Sequence, residues 1–426
     1  MQSFRFPVLF SLVLIVWLQG FCVAQSGIGH SPMSRFGFGL PYDFGISRNE
    51  SMAGCGVAVP DQDHPNFLNP ALLHFNRKVN LNSDLRYTYR TLNQLNQSEL
   101  KAGSAGLGFL SIVVPLTNSI SAGAGIRPYS AREFTYQQLR RAGSDSIGVR
   151  TRGLGGLSQT FLSCGIRIHK NISLGLEGSY VFGTLEDSVA FGVLPSYFNY
   201  TFISITKRKV SQFLLKPGVQ LTFPFPGSET SFIAAGITSE IGNQFSLSKY
   251  NQFSVAGTGI KDTLEYEVPS SIPRPMSMKF GLGIFSPLSY SVNAEAEFTR
   301  AGNIASDGSG FDYSDAITWR LGGEYSPGSK RSTTYLNLVH YRAGIMIRDY
   351  PYTVDGKKVK DLRISAGASF PIVRKDTKFS RPIINLSVSA GRRGIANSYI
   401  GSENYLQVTM GFTLNDFLWF NRYKID

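Results

Sequence analysis

Beyond its first 25 residues the chain has no apolar run of the roughly 20 residues that a membrane-crossing helix needs. A helical-bundle membrane protein is therefore excluded. Cysteine is scarce, with three in 426 residues, which rules out a disulfide framework. The five histidines, His30, His64, His74, His169 and His340, fall into no HExxH spacing, and no CxxC or P-loop pattern occurs. The parts of a zinc hydrolase, a dithiol redox enzyme or a nucleotide-binding enzyme are thus missing. His340 is read within a strand on its polar face, as are Ser365 and Ser369, and a satisfied interior histidine is preferred to a catalytic one. Asp61-Gln62-Asp63-His64 is preferred as an oxygen-rich turn over a metal site. The expectation is a non-enzymatic protein without cofactor or metal.

What is abundant is glycine and aromatic residues: 44 Gly, 31 Phe and 20 Tyr, at a mean hydropathy of −0.05. A sheet with one face in lipid and one in a polar lumen has this composition. The single long apolar run, Phe6–Phe21, follows the basic Arg5 and precedes the small-residue stretch Cys22-Val23-Ala24. That is the layout of a secretory signal peptide over 1–24, with a membrane anchor as the alternative. Cleavage removes Arg5, taking the net charge from +13 to +12, and leaves Cys55 and Cys164. Export and the scatter of the basic residues exclude nucleic acid as a partner. Outer-membrane lipid and anionic lipopolysaccharide remain as partners.

From residue 78 onward the pattern alternates with period two. Tyr290, Val292, Ala294, Ala296 and Phe298 oppose Ser291, Asn293, Glu295, Glu297 and Thr299. Ile317, Trp319, Leu321 and Tyr325 oppose Thr318, Arg320 and Glu324, and Leu406, Val408, Met410 and Phe412 oppose Gln407 and Thr409. About 14 such segments are read between 78 and 414, ending with 314–326, 332–347, 360–370, 382–391 and 404–414. Short joins at Thr117-Asn118, Lys170-Asn171 and Pro287-Leu288 contrast with long stretches at 184–208 and 243–274, read as loops. An even strand number, short turns at one end and long loops at the other predict an all-β transmembrane antiparallel barrel of the outer membrane. Lys279, Glu295, Glu297, Arg320, Glu324, Arg342, Arg348 and Arg363 then project into the lumen. Opposed Glu and Arg filling a closed lumen are the favoured reading, a polar gate or anion-selective channel the alternative.

Residues 25–77 do not alternate. They carry Ser34-Arg35-Phe36-Gly37-Phe38-Gly39, Met52 to Ala58 with Gly54 and Gly56, and Asn69-Pro70-Ala71, and are read as an irregular packed hatch inside the lumen. The tail 415–426 places Phe417, Trp419, Phe420 and Tyr423 as candidate partner contacts at the periplasmic interface.

This order of parts, with Asn69-Pro70-Ala71 closing the hatch, resembles the FadL-type fatty-acid transporter family. That resemblance implies a 14-stranded outer-membrane barrel with an N-terminal hatch. Ser34–Gly39, Met52–Ala58 and Gly411–Asp416 look most like the FadL-like Plug-type barrels of the type 9 secretion system. It implies a non-enzymatic plug or accessory subunit of a large secretion translocon barrel. The alternative is transport of hydrophobic small molecules such as long-chain fatty acids, with Gly103, Gly106 and Gly108, or Gly281 and Gly283, supplying a strand kink or relieving lumenal crowding. The usual FadL pattern ends in an aromatic residue after the last strand, whereas this chain continues through Arg422–Asp426, so no fatty-acid-binding residue is carried over.

Overall fold

A computed structural model describes residues 31–42, 45–93, 99–142, 145–194, 201–242, 244–256, 258–287, 289–304, 311–328, 334–372, 380–395 and 401–416. The signal-peptide assignment at 1–24 and the tail contacts Phe417, Trp419, Phe420 and Tyr423 lie outside the described residues.

A short strand, β1 (Leu40–Pro41), precedes the wall. The wall is built from β2 (Val79–Asn93), β3 (Leu100–Pro115), β4 (Ile120–Ala131) continued by β5 (Phe134–Ala142), β6 (Asp145–His169), β7 (Ile172–Leu194) and β8 (Phe202–Pro224). It continues through β9 (Phe232–Glu240) with its extension β10 (Gln244–Val255), and β11 (Lys261–Pro273) running into β12 (Met276–Ser286). β13 (Tyr290–Arg300), the short β14 (Asp312–Tyr313), β15 (Ala316–Tyr325), β16 (His340–Val354), β17 (Lys357–Pro371), β18 (Ser380–Gly394) and β19 (Ser402–Asp416) complete it. Counting each continued pair once, and β14 with β15, gives 14 antiparallel strands. β19 returns to β2 from Ser402↔Asn93 to Asp416↔Val79, which closes the barrel. Closure is what lets strands stand in hydrocarbon, where an unpaired main-chain group has no water to turn to.

The alternation has the physical basis expected of such a wall. Leu386 and Val388 face out at 40% and 39% exposure, while Ser387 and Ser389 between them are buried at 1%. At the short-turn end, Tyr290, Tyr325 and Tyr341 stand side by side in register and exposed, forming part of an aromatic girdle.

Two features differ from the sequence expectation. The stretches 184–208 and 243–274 are largely strand, because β7, β8, β10 and β11 extend the sheet well past the apolar belt. In water neither face must be apolar, so the period-two signal is broken in places, though Leu264, Tyr266 and Val268 of β11 still alternate. The segment expected at 332–347 becomes strand only at His340, after a 3-10 turn over Tyr335–Leu338. Its partner β15 ends at Tyr325, paired with Tyr341, so the earlier residues have no β15 partner.

The described residues of 31–77 occupy the lumen. Met33, Phe36 and Leu40 join Tyr350, Tyr352 and Val354 near the long-loop end. Lower down, Ile46, Phe67 and Leu73 cluster with Phe109, Val113 and Phe161 of the wall. Val388→Arg, which puts a charge on the lipid face near the middle of β18, is expected to cost about 2–4 kcal/mol. Urea titration of the barrel in lipid vesicles measures this, and a loss below about 1 kcal/mol would contradict the outward register of β18.

Candidate functional site

The lumenal segment is seated on glycine. Gly165, Gly175 and Gly218 stand in register on β6, β7 and β8. A Cβ on Gly175 would lie 2.2 Å from the Ala71 amide nitrogen, and one on Gly218 would lie 2.1 Å from Asn69 Oδ1. This bare floor receives the 3-10 helix Pro70–Phe75. Asn69 caps that helix, its Oδ1 accepting from the Ala71 N–H at 3.1 Å, and Pro70 sits at the first position, where no N–H is needed. The Asn69 amide also donates to the carbonyls of Val57 (2.9 Å) and Val219 (3.0 Å), joining the segment to itself and to the wall. Asn69-Pro70-Ala71 thus has a local physical reason: a cap, a helix start, and a side chain small enough for the glycine floor. Gly54, with φ 86, follows the helical turn Ser47–Glu50 in the left-handed region and returns its N–H to Asn49.

The lumenal charges lash this segment in place. Glu295 Oε1 accepts from the Gly56 and Val57 N–H groups, both at 2.6 Å. Glu324 accepts from Arg342 at 2.7 Å and pairs with Arg48 of the segment at 3.1 Å. Glu297 pairs with Arg320 at 2.7 Å and with Lys279 at 3.7 Å. Arg348 is buried near Tyr350, and Arg363, 1% exposed, donates to the Tyr405 hydroxyl. Sequence reading did not single out Glu50, which accepts from Gln407 and Thr409 and pairs with Arg86, or Lys216, which donates to the Phe67 carbonyl at 2.7 Å and pairs with Glu177 at 2.9 Å. Burial alone would raise the Asp61 carboxyl, but Arg48 at 2.5 Å, with His64 and Arg342, holds it well below the usual range. Among the described residues no group of three or more His, Cys, Asp or Glu gathers around a metal position. His340 turns its Nδ1 to Ser326 Oγ (2.8 Å) and Glu324 (3.3 Å). Ser369 instead bonds Arg342 and Asn385.

The wall is not zipped throughout. The β3–β4 ladder runs from Pro115↔Ser121 only to Leu110↔Ile126. Beyond it, β3 pairs only with β2, and β4 with β6 and the short β1. Each strand carries an irregularity where they part. Gly108 and Phe109 together oppose Asp84, a bulge on β3, and Tyr129 is the extra residue on β4 after Pro128. Pro128 has no N–H to offer a neighbouring strand, so it suits an open edge. From inside, the lumenal segment covers this edge: Leu40 and Pro41 pair with Ala131 and Ser130, and the Tyr42 N–H donates to the Tyr129 carbonyl at 3.0 Å. Gly39, with φ 97, permits the approach, since a Cβ there would meet the Ala131 oxygen at 2.3 Å.

Beside the opening lies a cavity of about 250 Å³. Phe38, Tyr42, Phe109 and Tyr129 line it together with Arg127, Glu240 and Arg274, and Arg274 donates to the Tyr129 hydroxyl at 2.8 Å. Arg127 stacks over Phe161 at 4.6 Å, so its charge is folded against an aromatic ring. Of the glycines singled out by sequence, Gly103, Gly106 and Gly108 border the opening, and Gly108 is in the bulge. Gly281 and Gly283 relieve crowding, because side chains there would strike Val57, Ala58 and Val59. The cavity residues Phe38, Phe109 and Tyr129 were missed, and Pro128 inside an alternating segment was the available signal.

A family model described as BamG matches residues 8–426. No curated protein sequence matches the chain. Among solved structures, a deltaS2 mutant of the TodX monoaromatic hydrocarbon channel has TM-score 0.55 at 13% identity, covering 88% of this chain and 99% of that one. The CymD monoaromatic hydrocarbon channel has TM-score 0.52 at 13% identity, with 92% and 99% covered. A Pseudomonas aeruginosa FadL homologue has TM-score 0.51 at 13% identity, with 87% and 98% covered. At such identities the likeness is one of fold, and none of the three is named as an enzyme.

Gly175→Val is expected to unseat the segment and raise single-channel conductance in planar bilayers, whereas Gly106→Val, with nothing within 4 Å of its Cβ, leaves conductance unchanged. Equal conductance in both variants would contradict the glycine seat. A pH effect follows from His74, whose Nδ1 donates to the Ala71 carbonyl at 2.9 Å while Nε2 faces Ser173 Oγ at 3.3 Å. Burial, partly opposed by that carbonyl and reinforced by Arg167 and Arg77, lowers its pKa to about 4 from the ordinary 6.5. Because the folded value is depressed, the contribution is full above about 6.5 and is lost as pH falls toward about 4. Protease access to residues 60–77 should rise through that window, and His74→Gln should flatten the rise.

Proposed function

The chain belongs to the BamG family, and from that membership and the unzipped β3–β4 ladder we propose an outer-membrane barrel that passes small hydrophobic molecules sideways through its wall. The observation that carries this reading is the coincidence of three features at one place. The ladder ends above Leu110↔Ile126, a partly aromatic cavity lies beside it, and Leu40–Tyr42 bridge the exposed edge from inside. An apolar solute in the cavity reaches lipid by displacing two paired residues of the segment. The protein is non-enzymatic in this reading, and its substrates are apolar molecules of the monoaromatic or long-chain fatty-acid kind. The apolar outer face and the tyrosine girdle support the outer membrane as its place.

A plug or accessory subunit of a type 9 translocon is the second reading. It draws on the filled lumen, where Glu295, Glu324 and Glu50 fasten the segment. The named solved structures favour transport over it.

An apolar naphthylamine fluorophore titrated into the purified barrel should bind in the cavity. Phe38→Arg, which puts a charge in place of an aromatic lining residue, should weaken that binding by at least about tenfold. Failure of the wild-type protein to bind, together with stoichiometric co-purification of a giant barrel, would overturn transport in favour of the plug.

A further inference from the structure

The lipid-facing surface carries a second feature, remote from the lumen. On β13 the outward residues Ala294 and Ala296 are small. Ala294 lies between Leu282 and Leu321, and Ala296 between Phe280 and Trp319, by the register of β12, β13 and β15. Two small side chains flanked by large ones leave an open groove of about 420 Å³ on the outer wall. The large walls are themselves 38–63% exposed, so no part of the described chain covers them.

The groove ends at a basic rim on the long-loop side, which is the outer-leaflet side of such a barrel. Arg300 lies on the same face of β13, two steps beyond Phe298, and is exposed. Lys358 Nζ donates to the Asp315 main-chain carbonyl at 3.0 Å, which brings it across β16 to the start of β15, on the side of Arg300. Lys360 and Arg392 continue the rim on β17 and β18, both exposed. Three carboxylates are nearby. Asp315 already accepts the Ala301 and Gly302 N–H groups at 2.8 Å, Asp349 is 3.9 Å from Lys358, and the exposed Asp312 lies in the register row of Thr353 and Lys358. Four cations against three carboxylates leave a surplus positive charge above an apolar slot.

We infer that this face binds one phosphorylated glycolipid of the outer leaflet, a lipid A-type molecule, with an acyl chain in the Ala294–Ala296 groove and a phosphate on the Arg300–Lys358–Lys360 rim. Charge complementarity selects this occupant. A phosphate at interfacial depth matches the rim, and a chain descending from it reaches the groove, whereas a bare protein wall would leave the cations unanswered. The inference does not depend on lateral transport.

The test uses the full-length barrel in nanodiscs, titrated with lipid A, with dephosphorylated lipid A and with phosphatidylglycerol, and read by native mass spectrometry. One lipid A per barrel is expected, bound at least tenfold more tightly than either competitor. Ala296→Phe, which fills the groove, and the triple variant Arg300→Ser, Lys358→Ser, Lys360→Ser should each remove that preference. Ala390→Phe on the lipid face of β18 serves as a folding control, and Ala294→Val replaces Ala296→Phe if the latter fails to fold. Equal binding of all three lipids, an unchanged preference in both variants, or a protein partner lost on filling the groove would each overturn the inference.

Discussion

A strand inside a bilayer has no water for its N–H and C=O groups, and each rung left unpaired there costs several kcal/mol. Nearly everything in this molecule follows from that. The sheet must close, and β19 meets β2 over its full length. The outward positions must be apolar, so polar and charged residues are driven inward. The interruption between β3 and β4 therefore has to be covered, and Leu40–Tyr42 supply main-chain partners to Tyr129, Ser130 and Ala131 from inside. The lumenal segment and the broken ladder are two halves of one arrangement: the segment is needed where the wall is incomplete, and the wall can be incomplete because the segment is there.

The inward charges face a related constraint. Buried ions are costly unless paired and hydrogen-bonded. Here much of the pairing is with the segment itself: Glu295 with two backbone amides, Glu324 with Arg48, Lys216 with the Phe67 carbonyl. A wall residue and the segment satisfy each other, so removing the segment would strand charges all around the lumen. Leu40–Tyr42, by contrast, are held by a two-residue ladder, one further amide, the packing of Leu40 and the Arg86 guanidinium over the Tyr42 ring. In the proposed reading a local displacement of these residues opens the side without unseating the whole.

The barrel was readable wherever lipid enforces alternation, as in β13, where Val292, Ala294, Ala296 and Phe298 face outward in the register that the sequence implies. It went unread in β10 and β11, although Leu264, Tyr266 and Val268 alternate with Thr263, Glu265 and Glu267, because that stretch lies between polar joins and Lys249–Gln252 breaks the alternation begun by the buried Phe245 and Leu247. The projection of Glu295 and Arg320 into the lumen could be read from the period alone, but not their function, because period two says which face and not what lies across it. Asn69-Pro70-Ala71 was visible as a motif, while its reason, the floor made by Gly165, Gly175 and Gly218, depends on strands far apart in sequence. Gly108 and Pro128 are local signs of a strand that will not pair, yet only the register shows that they face the same opening.

On the proposed function, apolar molecules pass between the lumenal cavity and the lipid through the side of the barrel between β3 and β4. Photolabelling outer-membrane vesicles with a small apolar aromatic diazirine, followed by peptide mapping, tests this most directly. The account predicts adducts on the inward residues Phe38, Phe109 and Tyr129 as well as on the outward lipid face, with the inward ones suppressed by excess unlabelled ligand. Labelling confined to outward residues such as Leu107 and Leu110, with Phe38 and Phe109 untouched, would contradict it.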